Sequence, residues 1–372
     1  MSLVPYVAPR NNKNNNNKVA KRMKSSRSNV MKPINQDRIV SNTDSGAGFL
    51  KCAFAAPDFA SENNAGIPDT YSGKTIVKSH RLSGTLSMTT ATDTYILLLP
   101  TPGYAYWKTS VAAGTPPTQT TVWTGVPFSD TASVFPTTLS TTNFTQFRMV
   151  SNIFELKCTS NATQWSGSIT AWKFPTTFNV VGQTTLSATQ TNLYQVNGLQ
   201  NASVPPGMCY STTQNMGIYT PCFHLTEEFI FKPVHNNCFV NRLDSDSYGY
   251  LDSELFGYDN DMEGMCIRVQ ASNTTFLTKN WQCVEYQVNM SSALYDYARI
   301  SASKDEKALR TYHEFTKNSP LAFTSFENDT MWERIIKMFM GATSAASFMP
   351  GPYGAVAGGL NAVGAGLQAI LL

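Results

Sequence analysis

The chain has 372 residues, a formal net charge of +3, 14% charged and 42% hydrophobic residues. Soluble domains carry about 25% charge, so the polarity here comes mainly from Ser, Thr and Asn. Aromatic residues at 12% exclude a wholly disordered chain, and 23 Gly with 19 Pro at so low a charge speak against a coiled coil.

Residues 1 to about 45 are polar and basic and include the tract NNKNNNN at 11–17. Within residues 1–40, Arg10, Lys13, Lys18, Lys21, Arg22, Lys24, Arg27, Lys32 and Arg38 stand against a single acid, Asp37, so this part is strongly basic and the remaining body is net acidic. Without apolar periodicity the arm cannot offset its ordering entropy and is expected to be disordered. Flexible Lys and Arg neutralise phosphates by counterion release without reading sequence, while a solubilising tail or a localisation signal is the plainer reading. The seven cysteines are odd in number and widely spread, and MSLVPYVAPRNNKNNNN lacks an apolar signal segment. Reduced, buried thiols and a cytosolic setting are the expectation.

From about 75 to 290 the pattern is that of strands. RLSGTLSM puts Leu82, Gly84, Leu86 and Met88 on one face. DTYILLLP is a continuous apolar run, as expected of a strand buried on both sides. WSGSITAW, GMCIRVQA and NWQCVEYQV follow, separated by turn-rich segments and by no helical pattern of crossover length. This is the pattern of an antiparallel sandwich or jelly roll, not of a parallel α/β sheet. The weakly patterned stretches 110–145 and 176–262 are expected to be surface loops.

SKDEKALRTYHEF at 303–315 reads as a short charged helix. Met331, Trp332, Ile335, Ile336, Phe339 and Met340 recur on one helical face, with Glu333, Arg334 and Lys337 between them. No charged residue follows Lys337, and the tail YGAVAGGLNAVGAGLQAILL is apolar and rich in Gly and Ala. Core packing is the ordinary use of such a stripe; its pairing with an uncharged tail points to membrane activity. A tail-anchored membrane protein with an RNA-binding arm, spanning with 353–372, is the alternative reading of the whole chain.

Ordinary enzyme motifs are missing. Cys222-x-His224 and His235-x-x-Cys238 offer zinc-type ligands at spacings that match no common site, with buried thiols as the alternative. Seven acids lie between 244 and 263: Asp244, Asp246, Asp252, Glu254, Asp259, Asp261 and Glu263. Asp244, Asp246, Asp259 and Asp261 are candidate calcium ligands at a subunit contact, or parts of a solvated loop.

Several blocks together resemble the capsid protein precursor of insect nodaviruses. They are GFLKCAFAAPDF at 48–59, GIPD at 66–69, DTYILLLPTPGYAYW at 93–107, WSGSITAWK at 165–173, NWQCVEY at 280–286, ALYDY at 293–297, ENDTMWERI at 327–335 and MPGP at 349–352. The resemblance implies an all-β fold, an eight-stranded antiparallel jelly-roll sandwich with long loop insertions. A disordered arm (1–45), a shell domain (46–300), an inner helical segment (301–328) and a membrane-active peptide (329–372) would follow in order. It implies a non-enveloped icosahedral homo-oligomer in the virion, assembled in the host cytoplasm around viral single-stranded RNA. It also implies one self-cleavage after assembly, at Asn328–Asp329, by a single-turnover, Asp-dependent endopeptidase activity. The freed peptide would act on the host endosomal membrane. The aspartate of the family's Pro-Asp-Phe motif is Asp58 here, and burial among Phe54, Pro57 and Phe59, completed on assembly, would raise its pKa. Family members usually carry Ala or Ser where this chain has Asp329. No cofactor is required; calcium at subunit interfaces is an expectation.

Overall fold

The computed structural model describes residues 41–59, 65–118, 120–129, 143–174, 177–181, 193–197, 209–234, 247–252 and 255–325. These residues form fifteen strands and two α-helices. The helices are α1 (Asp44–Ala55) and α2 (Glu306–Asn318). The first eight strands are β1 (Lys74–Ser87), β2 (Thr92–Leu98), β3 (Tyr104–Ala112), β4 (Val122–Pro127), β5 (Phe144–Cys158), β6 (Ser168–Phe174), β7 (Thr177–Val181) and β8 (Leu193–Asn197). The rest are β9 (Cys209–Thr213), β10 (Ile218–Cys222), β11 (Lys232–Pro233), β12 (Ser247–Leu251), β13 (Gly264–Val269), β14 (Thr275–Val288) and β15 (Arg299–Ile300).

Two sheets result. The smaller runs β10-β5-β14-β1-β15, with β11 added to β5, and the larger runs β7-β8-β12-β4-β3-β2-β13-β6-β9. Among the described residues every pairing is antiparallel except β12 against β4. The main core lies between the sheets, where Phe154, Leu156, Phe276 and Val284 of the smaller meet Ile96, Leu98, Ile169, Met265 and Ile267 of the larger. A second cluster, with Tyr95, Leu97, Trp107, Trp123 and Trp172, covers the other face of the larger sheet. The alternating residues of β2 therefore serve two cores, which is why its run is continuously apolar. Leu82 and Leu86 of β1 pack on the main core as their alternation requires.

Helix α1 lies against the opposite face of the smaller sheet, and α2 packs on α1. Thr43 caps α1, its hydroxyl accepting from Gly46 N at 2.9 Å. Asp305 caps α2 by accepting from Ala308 N at 3.0 Å, and its second oxygen accepts from the amides of Asn42 and Thr43, both at 2.7 Å. One carboxylate thus starts both helices, and those bonds hold it below the usual range despite partial desolvation. Aromatic contacts complete the layer: Phe54 meets Phe315 at 4.4 Å and Phe49 meets Tyr312 at 5.3 Å between ring centroids. The helix expected at 303–315 begins at Glu306, because Asp305 is its cap.

One expectation is corrected. The stretches read as surface loops hold β4 and β7 to β12, and they bury Tyr219, Phe223, Phe229, Leu255, Phe256, Tyr258 and Met262. Their strands are short, and runs of about five residues are too brief to show a period. The strand count among the described residues accordingly exceeds the eight of the expected sandwich. The six described cysteines are all free, four of them buried.

Candidate cleavage site

Asp58 sits in the turn that closes α1, its amide donating to Ala55 O at 3.0 Å. The helix is buried almost all round, through Phe49, Leu50, Cys52, Ala53 and Phe54, so its end is fixed in place. Tyr219 Oη donates to Phe54 O at 2.7 Å, satisfying a last-turn carbonyl and tying the turn to β10. Asp58 itself is exposed, with Pro57 and Phe59 half-buried and Phe54 pointing inward. The apolar enclosure expected around Asp58 is therefore not supplied by the described residues.

Under this turn lies a side chain that the sequence reading passed over. Glu155 of β5 stands opposite Tyr219 of β10 and Lys279 of β14 in register, so all three project from one face of the sheet. Lys279 Nζ lies 3.8 Å from Glu155 Oε2, and the Glu155 side chain is only 16% exposed. Burial pushes its carboxyl above the usual range, Lys279 and Lys157 oppose this, and the charge of Asp58 adds to it. The signal that could have found it is one acid within the apolar strand MVSNIFELKC.

The chain returns to the same place after α2. Tyr219 N donates to Phe323 O and Phe323 N to Tyr219 O, both at 2.8 Å, so the segment around Phe323 lies antiparallel to β10. Ser325 N donates to Met216 O at 3.0 Å, and Ser325 Oγ to Leu156 O at 3.1 Å, one residue from Glu155. Gly217, at φ +62°, permits this crossing: a Cβ there would meet Leu156 O and Ser325 Oγ.

Comparison with known proteins shows the family. The Peptidase A6 family model matches residues 42–369. Capsid protein alpha of Boolarra virus is 33% identical over 369 residues, covering 89% of this chain and 89% of that protein. Capsid protein alpha of Flock house virus is 32% identical over 339 residues, covering 86% and 83%. The chain belongs to the Peptidase A6 family, among the alphanodavirus capsid proteins. A solved infectious bursal disease virus particle structure aligns over 80% of this chain and 97% of its own, at a TM-score of 0.47 and 9% identity.

Within this capsid protein, the other residues singled out from the sequence fall as follows. The arm residues Arg10 to Arg38, the bond Asn328–Asp329, and Met331, Trp332, Ile335, Ile336, Phe339 and Met340 lie outside the described residues, as do Asp244, Asp246, Glu254, His235 and Cys238. The described acids of the 244–263 cluster have separate partners. Asp259 is buried and accepts from Met149 N at 3.2 Å and Asp261 N at 3.1 Å, and burial raises its pKa against the opposing charge of His224. Asp261 pairs with Lys232 at 2.5 Å, Glu263 with Lys173 at 2.6 Å, and Asp252 accepts from Gly125 N at 2.8 Å. No group of three potential metal ligands occurs among the described residues. Cys222 is buried, which pushes its thiol up to about 12, and His224 Nε2 lies 2.8 Å from Met149 O. Both act as core groups. No helix among the described residues is long and apolar enough to cross a membrane.

Proposed function

We propose that this capsid protein is a precursor whose shell domain is an eight-stranded jelly roll extended by further short strands, that it forms a shell around single-stranded RNA, and that it then cuts itself once, at Asn328–Asp329. The arm residues from Arg10 to Arg38 neutralise RNA phosphates without reading sequence, so their contribution weakens with salt. In the cleavage, Asn328 Nδ2 attacks its own backbone carbonyl carbon. A cyclic imide closes as the bond to Asp329 nitrogen breaks. The proton lost by Nδ2 is matched by one gained by the leaving amine, so no water or cofactor is consumed in that step. An amide nitrogen is a poor nucleophile and needs an acid–base group beside it, the role given to Asp58. The released residues 329–372 carry the amphipathic stripe Met331 to Met340, which suits insertion into the host endosomal membrane.

The observation that carries the cleavage reading is the return of the chain at Phe323–Ser325 to β10 and β5, the sheet to which Tyr219 ties the Asp58 turn. Asn328 lies three residues after Ser325, so the covalent chain keeps their Cα atoms within about 11 Å. The test is intact mass and RNA content of purified particles of the wild type and of Asp58→Asn. Wild-type particles containing RNA and a 44-residue C-terminal fragment, with uncleaved Asp58→Asn particles, are expected. Equal release from both would remove Asp58 from the reaction, and detergent-dependent monomers in place of particles would overturn the shell.

A further inference from the structure

A protein that builds a shell from its own copies carries apolar surface that its fold leaves uncovered. Among the described residues, the large apolar side chains with the greatest exposure are Met290 at 82%, Tyr297 at 77% and Ile300 at 74%. All three fall between the end of β14 and the end of β15. We propose that this corner of the smaller sheet is a contact between subunits, and that its occupant is a second copy of this chain. The inference rests on the reading that the protein forms a shell.

The corner is tied down along its length, so the exposure belongs to the fold. Asn289 N donates to Asn143 O at 2.9 Å, and Ser292 Oγ donates to Asn143 Oδ1 at 3.0 Å. Ser292 caps the short 3₁₀ turn Ala293–Tyr297, its hydroxyl accepting from Leu294 N at 3.2 Å. Leu294, Tyr295 and Ala298 pack on the main core. Arg299 and Ile300 then pair with Thr75 and Lys74 of β1. Met290, Tyr297 and Ile300 are what this arrangement leaves outside, and an anchored segment loses little further freedom when a partner covers it.

Register joins the three into one surface. Ile300 stands opposite Lys74, and Lys74 lines an open cavity of about 330 Å³ together with Met290, Tyr295, Tyr71, Thr145 and Gln287. Lys74 Nζ lies 4.5 Å from the centre of the Tyr295 ring. The cavity gives room for a protruding side chain of a neighbour. β15 is also the last strand of its sheet among the described residues, and both its residues are exposed, so a sheet edge adjoins the patch. A stable interface buries about 800 Å² per partner around an apolar centre with a polar rim. A tyrosine alone contributes roughly 150–250 Å² when covered, so Tyr297 with Met290 and Ile300 forms such a centre. Charge selects the occupant. The exposed charged residues of the corner are Lys74, Asp296 and Arg299, an excess of base, whereas the body of the chain is net acidic. The acidic body of a second copy complements this rim, and the chain's own basic residues 1–40 do not.

The experiment puts a benzophenone side chain in place of Tyr297 in the full-length chain and irradiates assembled particles. A product of twice the chain mass, with its attachment point within residues 41–325 of the second copy, is expected. Attachment within one chain, to RNA or to residues 1–40, or no attachment at all, overturns the proposal. A second arm uses Met290→Gln/Tyr297→Ser/Ile300→Thr, which removes the apolar centre and leaves the inward residues untouched. Particle yield should fall at least tenfold while the urea midpoint of the subunit stays that of the wild type; an unchanged yield overturns the proposal. If the midpoint shows that this variant does not fold, the cross-link decides. A wild type that forms no particles would sink the shell itself, whereas particles with residue 297 facing solvent would sink only this contact.

Discussion

Replacing Arg148 with Met should destabilise the folded body far more than its volume change suggests. Arg148 is 1% exposed. Its guanidinium donates from Nε to Glu285 at 2.9 Å, from Nη1 to Asp69 at 2.5 Å and Phe229 O at 3.2 Å, and from Nη2 to Ile67 O at 3.2 Å. Its charged plane also lies 4.3 Å from the centre of the Phe231 ring. Glu285 is fully buried and accepts in addition from Ile67 N at 3.0 Å, Thr75 Oγ1 at 2.8 Å and Ser301 Oγ at 2.7 Å. These bonds remain in Arg148→Met, but the counter-charge is gone. Removing one partner of a buried pair costs about 3–5 kcal/mol, a large part of the roughly 5–15 kcal/mol typical of a domain. The double variant Arg148→Met/Glu285→Gln leaves no uncompensated charge in the buried site, only the partly exposed Asp69, and should cost less than the sum of the two single changes by about 2 kcal/mol. Urea unfolding of the full-length subunit, followed through the buried Trp107, Trp123 and Trp172, measures both. A loss under about 1 kcal/mol for Arg148→Met, or strict additivity in the double variant, would refute the argument.

Gly217→Ala places a Cβ against Leu156 O at a positive φ. Left-handed backbone costs a non-glycine residue about 1–2 kcal/mol, and the collision adds to it. The Phe323 segment should loosen, so amide exchange at Phe323 and Tyr219 should quicken at least tenfold; unchanged exchange would count against the close crossing. His224 is buried and held below its ordinary 6.5 chiefly by desolvation, although Asp259 and Asp261 oppose the shift. A histidine whose folded pKa is depressed contributes stability fully above about pH 6.5 and loses it as pH falls through the window below. Asp259, raised by burial, has the opposite dependence. Urea midpoints at pH 7.5 and 5.5 should therefore fall more in the wild type than in His224→Gln, and equal falls would remove His224 from the acid response.

Local patterning made some elements legible and hid others. The apolar run of β2 and the charged helix before Asn318 were readable because each carries its signal within a dozen residues. α1 was not, since DSGAGFLKCAFA is buried nearly all round and so lacks a polar face to set a period. The acids at 244–263 looked like one cluster because they are neighbours in sequence. In the fold Asp261 turns to Lys232, Glu263 to Lys173 and Asp259 into the core.

The sequence by itself determined the basic arm and acidic body, the β-rich architecture, the family, and Asp58 with Asn328 as the residues on which cleavage is read. Those rest on composition, on short-range period and on motif blocks. Only the tertiary structure set Glu155 and Tyr219 beneath the Asp58 turn, made Asp305 the shared cap of two helices, and drew Ser325 to Leu156. Each of these joins residues scores to hundreds of positions apart. Strand register and helix docking are fixed by the packing of the whole core, so no local segment can encode which distant partner it meets.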